Sequence, residues 1–144
     1  MKTMSTALKM FLNISYVQLN AIKKFDAGLN LHGISMTDFI VLYHLSNAVD
    51  EKLRRIDLAE KVGLTASGIT RILSPLEKLG MVRREANHRD ARVSYVKLAP
   101  AGKRTLNDTL QYAEEIASEI SNKMKPSKIE DLFQALLDLG GNIR

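Results

Sequence analysis

The stretch RIDLAEKVGLTASGITRILSPLEKLG, residues 55–80, restricts the fold more than any other part of the chain. Leu58, Ala59 and Val62 fall at helical spacing, with Asp57 at the positive end of the short helix they mark. Gly63 ends that helix and Thr65 is placed to cap the next one. On the second helix Ile69, Ile72, Leu73 and Leu76 form one apolar stripe, while Ala66, Ser67, Thr70 and Arg71 lie on the opposite side. Small Ala59 and apolar Ile69 let the two helices cross closely. Two short helices joined by a tight glycine-containing turn make a helix-turn-helix.

The flanks complete the unit. Gly80 stops the second helix, and MVRREA and RVSYVKL then alternate as two strands around a polar tip holding Asn87, His88, Arg89, Asp90 and Arg92. A helix-turn-helix followed by such a hairpin is a winged helix, and the tip is its wing. Upstream, residues 6–26 read as a helix with Leu8, Leu12, Ser15, Leu19 and Ile22 on one face. GLNLHG breaks that helix with two glycines. Ser35 caps a second helix in a capping-box arrangement with Asp38, and its FIVLYHL run is apolar nearly all round. NAVDEK reads as a polar break before the helix-turn-helix. Downstream, Pro100 starts a long helix over about 101–124, Pro126 breaks it, and a last helix over about 127–139 stops at Gly140 and Gly141. The expected class is mainly α (α+β): a winged helix-turn-helix flanked by N- and C-terminal helices.

Charge narrows the function. The 144 residues carry 21 Lys and Arg against 16 Asp and Glu, a formal charge of +5. Residues 50–104 hold 13 of the basic and 7 of the acidic residues, giving +6 there and −1 elsewhere. An excess segregated in this way favours a polyanionic partner, with nucleic acid first. No apolar run approaches the roughly 18 residues that span a bilayer. Lys9, Asn13 and Ser15 interrupt the N-terminal apolar stretch and no small-residue cleavage site follows, so no signal peptide and no membrane role are expected. With no cysteine, thiolate metal sites and thiol redox sensing are excluded, and a cytoplasmic location is expected. His32, His44 and His88 share no ligand spacing, so neither metal nor cofactor is expected, and the methionines read as gap-filling core. GLTASG lacks the Lys-Ser/Thr pair of a phosphate loop, and Glu114 and Glu115 point apart on a helix. Nothing supports catalysis.

The segment RIDLAEKVGLTASGITRILSPLEKLGMVRREANHRDARVSYVKLAPAG resembles the core of the MarR family, the multiple-antibiotic-resistance-type transcriptional regulators. The resemblance rests on DLAEKVGLT, GITRIL, LEKLGMVRRE, RDAR and the L-x-x-x-G from Leu98 to Gly102, and covers about a third of the chain. It implies one MarR-like domain over 1–144, a winged helix-turn-helix DNA-binding region over 35–100, and dimerisation helices over 6–26 and 101–139. It also implies a homodimer on double-stranded DNA, binding a pseudo-palindromic operator mostly as a ligand-responsive repressor. The family commonly binds a small aromatic or phenolic effector between the dimer helices and the winged helix. Tyr16, Tyr43, His44 and Tyr112 could line such a pocket, with core packing as the alternative for each. Two departures stand out. Ala99 followed by Pro100 replaces the usual Thr at the start of the long helix. Pro75 lies inside the recognition helix, where it removes a donor and favours a kink beyond the residues that would read bases.

Thr65, Ala66, Ser67, Gly68, Thr70 and Arg71 would then enter the major groove. Exposed Ala66, Ser67 and Gly68 allow close backbone approach. Thr70 can meet a phosphate, a base edge or a thymine methyl, and Arg71 can take guanine O6 and N7 together. In the wing, the family pattern gives Arg92 to the minor groove and Asp90 to holding it ready, with Arg89 on a phosphate. Arg54 and Arg55, and after them Lys61, Arg83 and Arg84, are weaker candidates for phosphate contacts. The alternatives are a solvated polar helix face and an ordinary turn. The rival function is a winged-helix protein-interaction module without sequence-specific DNA binding.

Overall fold

A computed structural model describes residues 2–144. Its elements, in chain order, are α1 (Thr6–Leu29), α2 (Met36–Ser46), β1 (Lys52–Arg54), α3 (Arg55–Val62), α4 (Ala66–Lys78), β2 (Val82–Ala86), β3 (Ser94–Leu98), α5 (Pro100–Ile120) and α6 (Pro126–Asp138). The three strands form one antiparallel sheet in the order β1-β3-β2, with Leu53 opposite Val96 and Arg84 also opposite Val96 from the other side.

Helix α2 runs through the middle and touches α1, α3, α4, α5 and the sheet. Its Leu42 and Leu45 meet Leu58 of α3, Ile69, Leu73 and Leu76 of α4 and Val96 of β3 in one core, each at most 1% exposed. Full burial of each such side chain is worth about 2 kcal/mol, so the winged helix is the best-packed part of the molecule. The α2 start is the expected capping box: Ser35 Oγ accepts from the Asp38 N–H at 3.1 Å and Asp38 accepts from the Ser35 N–H at 2.9 Å. Asp26 of α1 also accepts from the Met36 N–H at 2.7 Å, tying the two helices together.

Four expectations need correction. Gly28 does not break α1; a Cβ there would lie 2.5 Å from Ile116 Cδ1, so the missing side chain lets α1 and α5 approach. The chain turns instead through a short 3₁₀ segment, Asn30–His32, closed by Gly33 at φ 81°. The NAVDEK break runs into strand β1, which starts at its last residue, Lys52, and is entered through Asp50 and Glu51 in the left-handed region at φ 57° and 55°. Helix α5 ends at Ile120, where Ser121 Oγ donates to the Ala117 carbonyl at 2.8 Å and Lys125, preceding Pro126, is extended. Finally, Met81 is buried and Met36 packs at the core edge, but Met4, Met10 and Met124 are exposed.

Both departures from the family pattern are accommodated locally. Ala99 is the N-cap of α5 without a side-chain bond, and Pro100 is the first helical residue, where an absent N–H costs nothing. Gly102 packs against the sheet: a Cβ there would overlap the Met81 carbonyl oxygen and crowd Leu98. Pro75 leaves α4 continuous, and it lies on the exposed side of that helix.

The terminal helices are different. Helix α6 contains no buried residue; Ile129, Leu132, Phe133 and Leu136 are exposed along it. Leu8, Phe11, Leu12, Val17 and Leu19 of α1 are exposed too. Among the described residues no helix is long and apolar enough to cross a membrane.

Candidate nucleic-acid interface

The first turns of α4 are organised by one side chain. Thr65 Oγ1 accepts from the Gly68 N–H at 3.1 Å and shares a hydrogen bond with Ser67 Oγ at 3.2 Å. Ala66, Ser67, Thr70 and Arg71 are exposed, opposite the buried Ile69, Leu73 and Leu76. Arg71 makes no ion pair among the described residues, which leaves its guanidinium free to extend. Gly68 differs from expectation: it is half-buried, with its Cβ position 3.2 Å from Thr65 Oγ1 and 3.5 Å from Leu64 Cβ. It serves the turn between the helices rather than the open face.

The wing presents one arginine in a fixed pose. Arg92 Nε and Nη2 donate to the two Asp90 oxygens at 3.1 and 3.2 Å, and the Arg92 backbone N–H donates to the same carboxylate at 3.0 Å. The fork is bidentate, a geometry that fixes the guanidinium plane. Arg92 is nonetheless 89% exposed. The Arg92 guanidinium, helped by the Arg92 amide, holds the Asp90 carboxyl below the usual carboxylate range. Asn87 Oδ1 accepts from the Arg89 N–H at 2.9 Å, which shapes the tip and leaves the Arg89 side chain outside. The base of the wing is braced by Glu85, which takes Lys52 at 2.9 Å and Lys97 at 3.8 Å.

Between wing and helix-turn-helix lies a shallow groove of about 250 Å³ lined by Arg54, Arg55, Ile56, Arg92, Val93 and Ser94. It brings three of the expected cations together. Arg54 is held by Asp57 through Nε at 2.8 Å and Nη2 at 3.2 Å, and the Arg54 guanidinium lowers the Asp57 pKa. Arg55 reaches Thr70 Oγ1 at 3.1 Å and Glu77 Oε1 at 3.4 Å, and Arg84 meets the same Glu77 oxygen at 3.4 Å. Lys61 and Arg83 are exposed at the surface. Sequence reasoning saw Asp57 only at the positive end of α3 and passed over Glu77, the two carboxylates that orient these arginines, and Ile56, which is 67% exposed at the rim of the groove. An apolar residue lying off the stripe of α3 was the available signal.

The four aromatic candidates do not converge. Tyr43 lines a cleft of about 420 Å³ between α2 and α5, with Met36, Phe39, Ile40, Leu106, Leu110 and Ile143 as its apolar wall. His44 is buried beside it, its ring 5.4 Å from that of Tyr43 and its Nε2 without a hydrogen-bond partner among the described residues. Burial first, and the Lys61 charge second, push its pKa down. Tyr112 instead packs against His32, the rings tilted by 37° with centroids 4.6 Å apart, and Tyr16 stands exposed on α1. No group of three or more His, Asp or Glu among the described residues could hold a metal ion.

Comparison with known proteins agrees with this architecture. The family model described as MarR family matches residues 34–94. The HTH-type transcriptional regulator MhqR of Bacillus subtilis is 27% identical over 139 residues, spanning 96% of this chain and 94% of its own length. The HTH-type transcriptional regulator SarZ of Staphylococcus epidermidis is 31% identical over 113 residues, 77% of this chain and 75% of its own. Among solved structures, the transcriptional regulator BldR from Sulfolobus solfataricus matches with a TM-score of 0.85 at 26% identity, covering 96% of this chain and 97% of that one. A mutant MarR from E. coli, solved in complex with operator DNA, shares the fold with a TM-score of 0.83 at 20% identity, over 93% and 95% of the two chains. The chain belongs to the MarR family of transcriptional regulators.

Proposed function

We propose that this chain is a homodimeric, sequence-specific DNA-binding repressor that acts on a pseudo-palindromic operator and responds to a small aromatic or phenolic effector. The observation that carries this reading is the pairing of an unobstructed α4 N-terminus, with Arg71 free, and a wing arginine held ready by the Asp90 fork. The groove of Arg54, Arg55 and Arg92 between them supports a phosphate strand passing from one to the other. The solved complex of a MarR protein with operator DNA adds support through the shared fold.

Dimerisation is supported by α6. A helix with no buried residue and four large apolar side chains along it is stable only when another surface covers it. We assign residues 6–26 and 101–139 to that interface and residues 35–100 to DNA, the whole of 1–144 working as one domain in the cytoplasm. The cleft beside Tyr43, apolar and sited between α2 and α5, is the place for the effector. Occupancy there would bear on α2, which touches both the DNA-binding helices and α5.

A competition titration tests the reading. Binding to a duplex recovered by selection should exceed binding to its scrambled counterpart by at least about 10³-fold at physiological salt. Equal binding to both would return the wing and α4 to a protein-interaction surface.

A further inference from the structure

We propose that Thr70 reads the 5-methyl group of a thymine through its own methyl group, its hydroxyl being committed inside the protein. The inference deepens the DNA-binding reading and rests on it.

A threonine hydroxyl has one hydrogen to give and two lone pairs to receive. The Thr70 hydrogen goes to the Ala66 carbonyl one turn back, at 3.0 Å. One lone pair receives Arg55 Nη2 at 3.1 Å. Arg55 is not free to swing away, because its Nη1 is held by Glu77 Oε1 at 3.4 Å and its side chain is only 22% exposed. Glu77 in turn receives Arg84 from β2. The result is a brace that links α3, α4 and β2 and terminates on the Thr70 oxygen.

The consequence is chemical. Phosphate oxygens, guanine O6 and N7, adenine N7 and thymine O4 all demand a donor. Thr70 has none left to offer. It is still exposed, on the same face as Arg71, so its methyl is what remains to meet the groove. The major-groove feature matched to a methyl group is the thymine C5-methyl. The brace makes Glu77 and Arg55 positioning residues: they keep the hydroxyl turned inward and the methyl available. It also accounts for a carboxylate near a surface meant for phosphates, since Glu77 is occupied by two guanidiniums.

The unused second lone pair could still receive an amino group of adenine or cytosine, and the test separates that case. The probe is the duplex recovered by selection, with each thymine replaced singly, in both half-sites, by deoxyuridine. Wild-type protein should lose about fourfold per half-site at one thymine, the worth of one buried methyl. Thr70→Val keeps the methyl and removes the oxygen; whatever its overall affinity, it should keep the same deoxyuridine penalty at that thymine. Thr70→Ser keeps the oxygen and removes the methyl; its penalty should vanish at that thymine alone. A Thr70→Val protein that loses the deoxyuridine penalty, or a Thr70→Ser protein that keeps it, would show that the Thr70 methyl is not what meets the thymine and overturn the inference. So would a wild-type scan with no sensitive thymine, a readout that needs no variant to fold. A protein that prefers no duplex at all would instead fail the DNA-binding reading, and this inference with it.

Discussion

Arg92→Ala tests the wing, and its effect can be worked from the geometry. The side chain is 89% exposed and, among the described residues, bonded only to Asp90, so its removal leaves the core intact. In a dimer it deletes two cations. Each phosphate neutralised contributes about 0.9 to the slope of log K against log salt, so the slope should fall by about 1.8. Between 50 and 200 mM salt, the wild-type advantage over the variant should then shrink about twelvefold. A second effect adds to this. Arg92→Ala uncovers the Asp90 carboxylate beside the phosphates, so Asp90→Ala/Arg92→Ala should bind better than Arg92→Ala alone. Asp90→Ala by itself should be the mildest, because the cation stays and only its fork is lost. The losses should be larger on operators with A·T-rich flanks, where a narrow minor groove concentrates negative potential. Fluorescence anisotropy on A·T- and G·C-flanked duplexes at both salt concentrations reads all of this. Equal losses on the two flanks would reduce Arg92 to a phosphate contact. Unchanged salt slopes would refute the reasoning altogether.

Other perturbations follow from the same structure. Arg71→Ala should weaken operator binding by about 1–3 kcal/mol and relax preference at one base pair per half-site, read by titrating operator variants. Leu132→Asp with Phe133→Asp should convert a dimer to monomer in sedimentation; a monomer already present in wild type at micromolar concentration would defeat the α6 interface. Gly102→Ala should cost about 3 kcal/mol in denaturant unfolding because its Cβ meets the fixed Met81 backbone. By contrast, Gly28→Ala meets only the movable tip of Ile116 and should be close to neutral. For His44 the folded pKa lies below the ordinary 6.5. Below that value the unfolded chain takes up a proton that the folded chain resists, so stability should fall on acidification from there. His44→Phe should flatten this dependence in thermal melts across the same pH range. Asp90 has the same sign as His44 but a lower pH window. Its lowered pKa means that the wing pair persists until pH drops beneath the usual carboxylate range, so the Asp90–Arg92 pair itself should contribute no pH dependence between about pH 8 and 5.

What the sequence disclosed was local. The Ser35 and Asp38 capping box, the Thr65 cap and the Ile69, Leu73 and Leu76 stripe all depend on neighbours three or four residues apart, and all are present in the structure. Strand β1 was hidden because it is three residues long and has only Leu53 to mark it. Gly28 was misread because a breaking glycine and a notch for Ile116 look alike until the distant helix is placed. The brace from Arg84 through Glu77 and Arg55 to Thr70 crosses three elements, and no spacing rule reports it. The wing fork lay between these cases: Asp90 and Arg92 are two residues apart, but their bidentate geometry needed the turn that Asn87 helps to shape.

The central claim is that two copies of this chain read an inverted repeat with α4 and the wing. Selection of bound duplexes from a random pool by the purified protein, followed by sequencing, tests it most directly. The account predicts an enriched inverted repeat whose half-site centres lie about 10 bp apart, one helical turn, with a guanine–cytosine pair in each half-site and A·T-rich flanks. A pool that yields no enriched motif, or a single unsymmetrical site bound by one copy, would contradict it.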